Sequence, residues 1–312
     1  MTALVCGSIA YDNIMFFDGS FESQILAEQL DNLNVSFLSS SMRKEFGGCA
    51  ANIAYNLKLL NHDAYPVGAV GKDFSSYSKW LELKGIAQDY IKVFDDFYTA
   101  QAFIVTDENA NQITAFHPGA MSLSNEISIK DLEDIDIGIL SPDSREGMIC
   151  HASEFVEADI PFIFDPGQGL PMFNKEELKY FINQSTWVIV NDYECQMLLD
   201  RTGLSLIEIK SLVEGFIVTH GSNGSSIYTS EGKIEVPVVK TSSPKDPTGC
   251  GDAYRAGLIF GLSNNYDWEV IGRISSLLGS IKVKYNGTQN HSFTKDGLNE
   301  KYLEEFKVSI PE

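Results

Sequence analysis

Residues 246–253 read Asp246-Pro247-Thr248-Gly249-Cys250-Gly251-Asp252-Ala253, and an apolar, helix-like run follows them. Two glycines that flank one small residue allow a tight turn that presents consecutive backbone N–H groups. The positive N-terminal end of the predicted helix adds to these donors, so the turn can bind an anion. Asp252, at the helix start, can accept a proton from an attacking hydroxyl. The stretch predicts phosphoryl transfer, although alone it fits a glycine-rich turn with an Asp cap equally well.

Short apolar runs bounded by Gly, Pro or Asp recur along the chain and are typical of buried strands. They are Ala3–Ile9, Ile137–Leu140, Ile160–Phe164, Trp187–Val190 and Phe216–Thr219. Helix-like segments such as Glu176–Asn183 and Tyr193–Arg201 lie between several of them. Strands that alternate with helices predict an α/β fold, in which a mostly parallel sheet has helices on both faces.

Two regions, approximately residues 13–46 and 97–121, interrupt this alternation. They contain short, partly alternating runs with no strong helix between them: Val35–Leu38, Ala102–Thr106 and Gln112–Phe116. Both regions predict small antiparallel additions to the main sheet. We therefore expect a single domain over residues 1–312, with a lid that two separate chain segments form.

The charge balance excludes some classes of partner. Lys and Arg total 23 against 43 Asp and Glu, so the formal net charge is -20. Such a field repels a polynucleotide backbone and an anionic membrane surface, whereas local N–H groups can still bind a small anion such as ATP. The sequence contains no long apolar run and no basic, apolar N-terminal signal, and its five cysteines are scattered. We expect a cytoplasmic protein.

The stretch at residues 246–253 resembles the C-terminal motif of the ribokinase (PfkB) family of small-molecule kinases, usually written D-T-x-G-A-G-D. Pro247 and Cys250 depart from this motif, and both departures are similar to bacterial adenosine kinases. The resemblance implies a ribokinase-like three-layer α/β/α core with a small β-sheet lid. The catalytic residues that it implies are Asp252 as general base and Gly249, Cys250 and Gly251, which form an anion hole together with the backbone amide of Asp252. Phosphoryl transfer of this kind needs no covalent intermediate, so the thiol of Cys250 is interpreted as part of a small turn residue.

Two further motifs imply a nucleotide site. Asn191-Asp192-Tyr193-Glu194 resembles the family's N-x-x-E motif, and Thr219-His220-Gly221-Ser222-Asn223-Gly224 resembles its T-x-G-x-x-G turn. The implied ATP-binding residues are Asn191, Thr219, Gly221, Ser222, Gly224, Gly249 and Gly251, with Glu194 on Mg²⁺ through water. The family also suggests a monovalent cation such as K⁺ near Asp246 and Asn286–Gln289. Without the resemblance, the first motif fits a helix capping box and the second a hairpin turn.

The acceptor site is implied by resemblance near the N-terminus. Gly47-Gly48-Cys49-Ala50-Ala51-Asn52 resembles the family's N-terminal motif, and Gly7-Ser8 with Asp12 resembles its first-strand segment. The segment around Phe116 is similar to bacterial adenosine kinases, and its ring could stack on a purine. The implied substrate-binding residues are Ser8, Asp12, Ser36, Gly47, Gly48, Asn52 and Phe116. These resemblances imply transfer from ATP to the 5′-hydroxyl of adenosine, which gives AMP and ADP, as in purine salvage.

Several alternatives stay open at this stage. A ribokinase-like or fructokinase-like sugar kinase would not need an aromatic slot, and a non-catalytic nucleotide- or sugar-binding regulator would not need Asp252. Asp12 also fits a solvated carboxylate beyond a strand, and Phe116 fits ordinary strand packing. An arginine near Asp165-Pro166 in some such kinases has no clear counterpart in Gln168–Phe173. The chain could act as a monomer or a homodimer.

Overall fold

The computed structural model describes residues 1–25, 34–109, 111–130 and 132–311. Its strands are β1 Thr2–Cys6, β2 Ala10–Phe17, β3 Ser39–Gly47, β4 Asp63–Gly71, β5 Ile91–Phe94, β6 Ala100–Thr106, β7 Gln112–His117, β8 Ile137–Leu140, β9 Phe162–Phe164, β10 Trp187–Asn191, β11 Gly215–Thr219, β12 Ser225–Thr229 and β13 Gly232–Val236. Its helices are α1 Phe21–Gln24, α2 Cys49–Leu59, α3 Ser75–Lys84, α4 Arg145–Glu157, α5 Lys175–Gln184, α6 Asp192–Thr202, α7 Leu206–Leu212, α8 Cys250–Ser263, α9 Trp268–Lys282 and α10 Lys295–Phe306. The five predicted buried strands and both predicted helices are confirmed, with their ends shifted by up to three residues.

Within the described ranges the main sheet has nine strands in the order β13-β12-β11-β10-β9-β8-β1-β4-β5. From β11 to β5 every pair of neighbours is parallel, and β12 and β13 add an antiparallel edge. Strands buried on both faces need apolar side chains in both directions. On β1, Ala3 and Val5 belong to the core cluster that contains α8 and α9, whereas Leu4 and Cys6 belong to the cluster that contains α4 and α5. The predicted three-layer α/β core is therefore confirmed.

In the described residues the predicted additions to the main sheet form instead a separate sheet of four strands in the order β3-β2-β6-β7. Its outer pairs are antiparallel as predicted, but β2 and β6 are parallel. It is built from the two regions that interrupt the alternation, although residues 26–33 and 110 of the predicted lid lie outside the described residues. The prediction of a strand at Val35–Leu38 was wrong. Phe37 packs on Phe17 and Phe21, with ring centroids 5.1 and 5.0 Å away, and holds this segment in an irregular path. The strand is instead the polar run Ser39–Gly47, because pairing with β2 overrides its weak strand propensity.

The junction between the sheets also differs from the prediction. Strand β1 ends at Cys6 rather than Ile9, since the N–H of Ser8 donates to the carbonyl of Pro142, 3.0 Å away, outside the parallel ladder. The chain then enters β2 at Ala10, so the small sheet begins before residue 13. At its other end, Phe46 of β3 stacks on Tyr77 of α3 at 4.5 Å. These contacts fix β2 and β3 against the main domain and position the residues described next.

Candidate active site

The predicted site residues gather at the carboxyl edge of the parallel sheet. In the main sheet β4 and β5 lie on one side of β1, whereas β8 to β11 lie on the other. A sheet that reverses its strand order in this way leaves a crevice at the switch point, where ligands bind in open α/β folds. Ser8 follows β1, and Asn191 and Thr219 are the last residues of β10 and β11. The fold therefore brings widely separated motifs to one edge.

Asp252 is the third residue of α8, as predicted, and lies in this crevice. Its Oδ2 accepts a hydrogen bond from Nδ2 of Asn52, 2.8 Å away. Burial raises the pKa of Asp252, while the positive charge of Arg255 and the Asn52 hydrogen bond oppose the shift. A carboxylate with a raised pKa and a fixed orientation is a better proton acceptor than a solvated one.

Asn52, for which a substrate contact is predicted, also makes hydrogen bonds within the protein. Its Oδ1 accepts from Nε2 of Gln289, 2.9 Å away, so both ends of its amide are engaged within the protein. Nε2 of Gln289 also donates to the hydroxyl of Tyr77, and Nε1 of Trp80 donates to Oε1 of Gln289. This buried chain of hydrogen bonds fixes the Asn52 amide so that its NH₂ group faces Asp252. Asn52 thus positions the carboxylate.

The turn before α8 has the geometry of the predicted anion hole at Gly249–Asp252, except at Cys250. Gly249 has φ +79°, a conformation that glycine adopts without strain. The N–H of Cys250 donates to the carbonyl of Pro247, 3.0 Å away, and is therefore not available to a ligand. Among the residues that the structure describes, the N–H groups of Gly251 and Asp252 have no backbone partner. Two orphan donors at the positive end of a 14-residue helix form an anion site.

The thiol of Cys250 stays protonated at neutral pH. Burial raises its pKa to about 11, and the carboxylates of Asp246 and Asp252 add to the shift that Lys282 opposes. A nucleophilic cysteine requires a lowered pKa instead. The side chain agrees with the interpretation of Cys250 as a small turn residue.

Arg255 is a site residue that sequence reasoning missed. Its Nε and Nη2 donate to the two carboxylate oxygens of Asp165, which is 1% exposed. Long helical side chains point toward the helix N-terminus. Accordingly, a Cβ on Gly251 would lie 2.8 Å from Nη1 of Arg255, so the missing side chain of Gly251 makes room for the guanidinium. Within the described residues, Nη1 donates to no protein atom. The sequence does carry a signal for Arg255. It lies three residues after Asp252, and this spacing puts the two side chains on one face of a helix.

The face of the small sheet that carries Asp12 also carries Phe116. Strand register aligns Glu45, Asp12, Ala102 and Phe116 in one row across the four strands. Asp12 belongs to β2 of this sheet rather than to the end of β1, and a Cβ on Gly47 would lie 2.6 Å from its Oδ2. Phe116 is 51% exposed, so it does not pack in the core. Its separation from Asp12 is two strand spacings, about 10 Å.

The electrostatics of Asp12 distinguish it from a solvated carboxylate. Burial raises its pKa to about 6, with further increases from Asp252, Asp246 and Glu45 and an opposing effect of Arg43. Arg43, which the strand register puts on the same face as Asp12, contacts Asp246, so this face lies toward the turn before α8.

Three other predicted acceptor residues, Ser8, Gly48 and Ser36, lie outside the row of Asp12 and Phe116. The hydroxyl of Ser8 accepts from the N–H of Cys49 at 3.3 Å, and so supports the turn before α2. Gly48 has φ +89°, and a Cβ there would lie 2.5 Å from the carbonyl oxygen of Ser8. Ser36 is exposed, and its neighbour Phe37 packs on Phe17, five residues along β2 from Asp12, or roughly 16 Å. The structure therefore does not bring Ser36 to the row.

The nucleotide motifs border the same crevice. Asn191 and Glu194 form a reciprocal capping box at the start of α6, with both N–H···O distances 2.8 Å. Burial raises the pKa of Glu194, and Asp165 and Arg255 act on it with opposite signs. Gly221 has φ +56° and open space where a Cβ would point, whereas a Cβ on Gly224 would collide with the carbonyl of Val236. Thr219 is half-buried and Ser222 is exposed.

A resident metal site is not prebuilt in the described residues, since no group of three or more His, Cys, Asp or Glu side chains there could hold an ion. Mg²⁺ in kinases is held by one or two carboxylates together with substrate phosphates and water. Oε2 of Glu194 accepts the capping hydrogen bond, and Oε1 accepts none among the described residues. Glu194 therefore fits a water-mediated contact to Mg²⁺ that arrives with a nucleotide.

A proton-accepting carboxylate at an anion-binding helix start, above a parallel sheet with a small sheet beside it, defines the class of ribokinase-like small-molecule kinases. Residues 12–295 match the pfkB family carbohydrate kinases, and the chain belongs to this family. In the described part of the chain, no helix is long and apolar enough to cross a membrane.

The similar proteins include nucleoside kinases. The chain is 32% identical over 283 residues to a nucleoside kinase of Methanocaldococcus jannaschii, covering 90% of this chain and 93% of the relative. The structure of Burkholderia thailandensis nucleoside kinase in complex with inosine has a TM-score of 0.91 at 43% identity, with 98% of this chain and 99% of that chain covered. The same kinase in complex with ADP-inosine has a TM-score of 0.89 at 44% identity, covering 99% and 97%. The ribokinase-like fold with its separate small sheet is thus confirmed.

Proposed function

We propose that this protein is an ATP-dependent nucleoside kinase that phosphorylates the 5′-hydroxyl of purine nucleosides, with adenosine as an acceptor that yields AMP and ADP. The observation that carries the proposal is the row of Asp12 and exposed Phe116, on the face of the small sheet from which Arg43 contacts Asp246 at the turn before α8. A carboxylate for a sugar diol and an aromatic face for a base match the two halves of a nucleoside. The nucleoside kinases of similar fold and sequence support it.

In this proposal Asp252 accepts the proton of the 5′-hydroxyl while the oxygen of that hydroxyl attacks the γ-phosphorus of ATP. The bond from that phosphorus to the β,γ-bridging oxygen breaks, and ADP leaves. The N–H groups of Gly251 and Asp252 and the Nη1 of Arg255 stabilise the charge on the transferring group. When bound, Mg²⁺ would neutralise charge on the β- and γ-oxygens. Glu194 would orient its water ligands, and the 219–224 turn would hold the rest of the nucleotide.

We propose further that the four-stranded sheet acts as a lid over the acceptor in a single catalytic domain. The contact that supports this is between Nη2 of Arg43 on β3 and Oδ2 of Asp246, 3.3 Å away, at the turn before α8. This contact joins the sheet to the anion hole. A lid that excludes water would strengthen each electrostatic contact beneath it.

Phe116 suggests a preference for nucleosides over free sugars but not for one purine. A stacked ring contacts the face of a base, and both adenine and hypoxanthine present such a face. The related kinase that binds inosine makes inosine a second acceptor to compare with adenosine. A sugar kinase would have no use for an aromatic ring that is 51% exposed on this face.

We expect wild-type protein to release ADP with adenosine, inosine or guanosine at a kcat/KM well above that with ribose or fructose. Phe116→Ala should lower kcat/KM for the purine nucleosides. The loss should correspond to about 1–3 kcal/mol of activation free energy, the range for stacking on a base. Ribose turnover should not change. Phe103→Ala is the matched control, because Phe103 is 41% exposed on the neighbouring strand but points to the opposite face.

Several outcomes of this panel would contradict the proposal. Faster turnover of ribose or fructose would assign the protein to the sugar kinases, and ADP release with none of the acceptors would favour a regulator. An equal loss in both Phe variants would remove Phe116 from the acceptor site.

A second expectation concerns the titration of Asp12. Its pKa of about 6 means that the carboxyl becomes protonated as the pH falls through 6 and can then no longer accept from both ribose hydroxyls. Adenosine affinity, measured by calorimetry in the absence of ATP, should weaken below that pH. 2′-Deoxyadenosine should bind at least about tenfold more weakly at neutral pH, since an unpaired buried acceptor costs 1.4 kcal/mol or more.

The control variant is Asp12→Asn, which keeps the shape of the side chain but does not titrate. Its affinity for adenosine at neutral pH should be lower than that of the wild-type protein, and it should not change between pH 5 and 8. An unchanged pH profile in this variant would exclude Asp12 as the titrating group. The measured quantity is the dissociation constant for adenosine rather than kcat. It therefore reports the protonation of Asp12 and not that of Asp252, which affects turnover.

A further inference from the structure

Lys282 is a completely buried lysine beside the anion hole. It is the last residue of α9, and its side chain has 0% exposure. Its Nζ donates to the carbonyl of Asp246, 2.7 Å away, and to the carbonyl of Tyr285, 3.1 Å away. Burial lowers the pKa of Lys282, and the negative charges of Asp246 and Asp252 oppose this shift. Lysine is almost never fully buried unless its ammonium is paired, so this contact needs an explanation.

The carbonyl of Asp246 lies in the region where family resemblance suggests a monovalent cation, at Asp246 and residues 286–289. K⁺ and its analogues bind to oxygen ligands, and backbone carbonyls are the usual ones. Here the Asp246 carbonyl is occupied by the lysine. Oδ1 of Asp246 accepts from the N–H of Thr248, and Oδ2 accepts from the N–H of Gly287, each 2.9 Å away.

The charge around Asp246 is also unfavourable for a metal ion. Nη2 of Arg43 lies 3.3 Å from Oδ2 of Asp246, so Asp246 already contacts two cationic side chains, Arg43 at its carboxylate and Lys282 at its backbone carbonyl. A monovalent ion within about 4 Å of a buried ammonium would be repelled strongly, because the low local dielectric does little to screen like charges. The residues present therefore do not fit a bound K⁺.

We infer that the ammonium of Lys282 takes the place of a monovalent cation in this protein and makes the kinase independent of K⁺. The hydrogen bonds of Lys282 are to two backbone carbonyls, so it acts as a positioning residue. By holding the carbonyl of Asp246, it ties the end of α9 to the turn that presents the N–H groups of Gly251 and Asp252. The ammonium of Lys282, which is covalently part of the chain, supplies the positive charge that a bound K⁺ would otherwise supply.

The first test uses the wild-type protein at constant ionic strength with K⁺, Na⁺ or tetramethylammonium as the only monovalent cation. The kcat should agree within about twofold in all three, since an ion without a site cannot shift an equilibrium. The Tm should also be the same in all three. An increase in kcat of about fivefold or more in K⁺, or a Tm raised by several degrees in K⁺ alone, would overturn the inference, because both report a bound ion.

The second test removes the ammonium. Lys282→Ala opens a space lined by the two carbonyls, so K⁺ and NH₄⁺ should raise its Tm and restore its activity, whereas tetramethylammonium should not. Without these ions its kcat should be lower by about 10-fold to 100-fold, the cost of a displaced anion hole. The matched variant Lys282→Met fills the space without a charge, and no ion should rescue it. Equal responses of the two variants to K⁺ would contradict a cation-replacement role.

The activity readout rests on the proposed kinase function, but the thermal readout does not. If no acceptor is phosphorylated, the dependence of Tm on K⁺ in wild-type protein and in Lys282→Ala still decides the inference. If Lys282→Ala does not fold, the wild-type measurements decide it alone. A failure of the proposed function and a failure of the lysine assignment therefore give different results.

Discussion

Asp252→Asn should lower kcat by about 10²–10⁴-fold, the usual contribution of a positioned proton acceptor, with little change in ATP affinity. Asparagine keeps the shape of the side chain, and its Oδ1 can still accept the hydrogen bond from Asn52. Its neutral amide cannot take the proton of the attacking hydroxyl. Steady-state kinetics with adenosine and calorimetry with ATP measure the two parts of this expectation.

Stability provides a second readout for the same variant. Because burial raises the pKa of Asp252, its ionised form destabilises the folded protein at neutral pH, and a neutral side chain should leave Tm unchanged or higher. The control is Asp96→Asn, which makes the same chemical change at an exposed position. A folded Asp252→Asn protein with wild-type kcat would show that Asp252 is not the base. A loss of activity that accompanies a lower Tm would indicate a structural role.

Arg255→Lys should lower kcat by about 100-fold, comparable to the loss of one donor to a transition-state oxyanion. Arginine can bind Asp165 through two nitrogens while its third faces Gly251. Lysine has a single ammonium, which cannot serve both the buried carboxylate and the anion hole. The KM for adenosine should change little, because Arg255 does not belong to the acceptor row. Lysine retains a partner for Asp165, so this variant avoids the cost of an unpaired buried charge.

Asp165→Asn separates the two roles of Arg255. The guanidinium remains but loses its charged partner, so kcat should fall by less than in Arg255→Lys, although both variants weaken the same ion pair. If Arg255 serves only that ion pair, the two variants should lose stability and keep wild-type kcat. That result would remove Arg255 from the anion hole.

Features that depend on a few neighbouring residues could be predicted from the sequence. The buried strands β8 and β10 follow from their apolar runs, and the helix start at residues 249–252 follows from its glycines. Strand β3 could not be found in this way. Its residues are mostly polar, and only the pairing with β2 makes Ser39–Gly47 a strand.

The sequence by itself determined the family, the α/β core and the position of Asp252 at a helix start, because these depend on motifs and local periodicity. Only the tertiary structure decided which side chains hold the site together. Asn52 meets Asp252 across 200 positions, Arg255 meets Asp165 across 90, and Lys282 meets Asp246 across 36. Such partners are chosen by packing and by the need of each buried polar group for a hydrogen bond, and a single sequence carries no record of either.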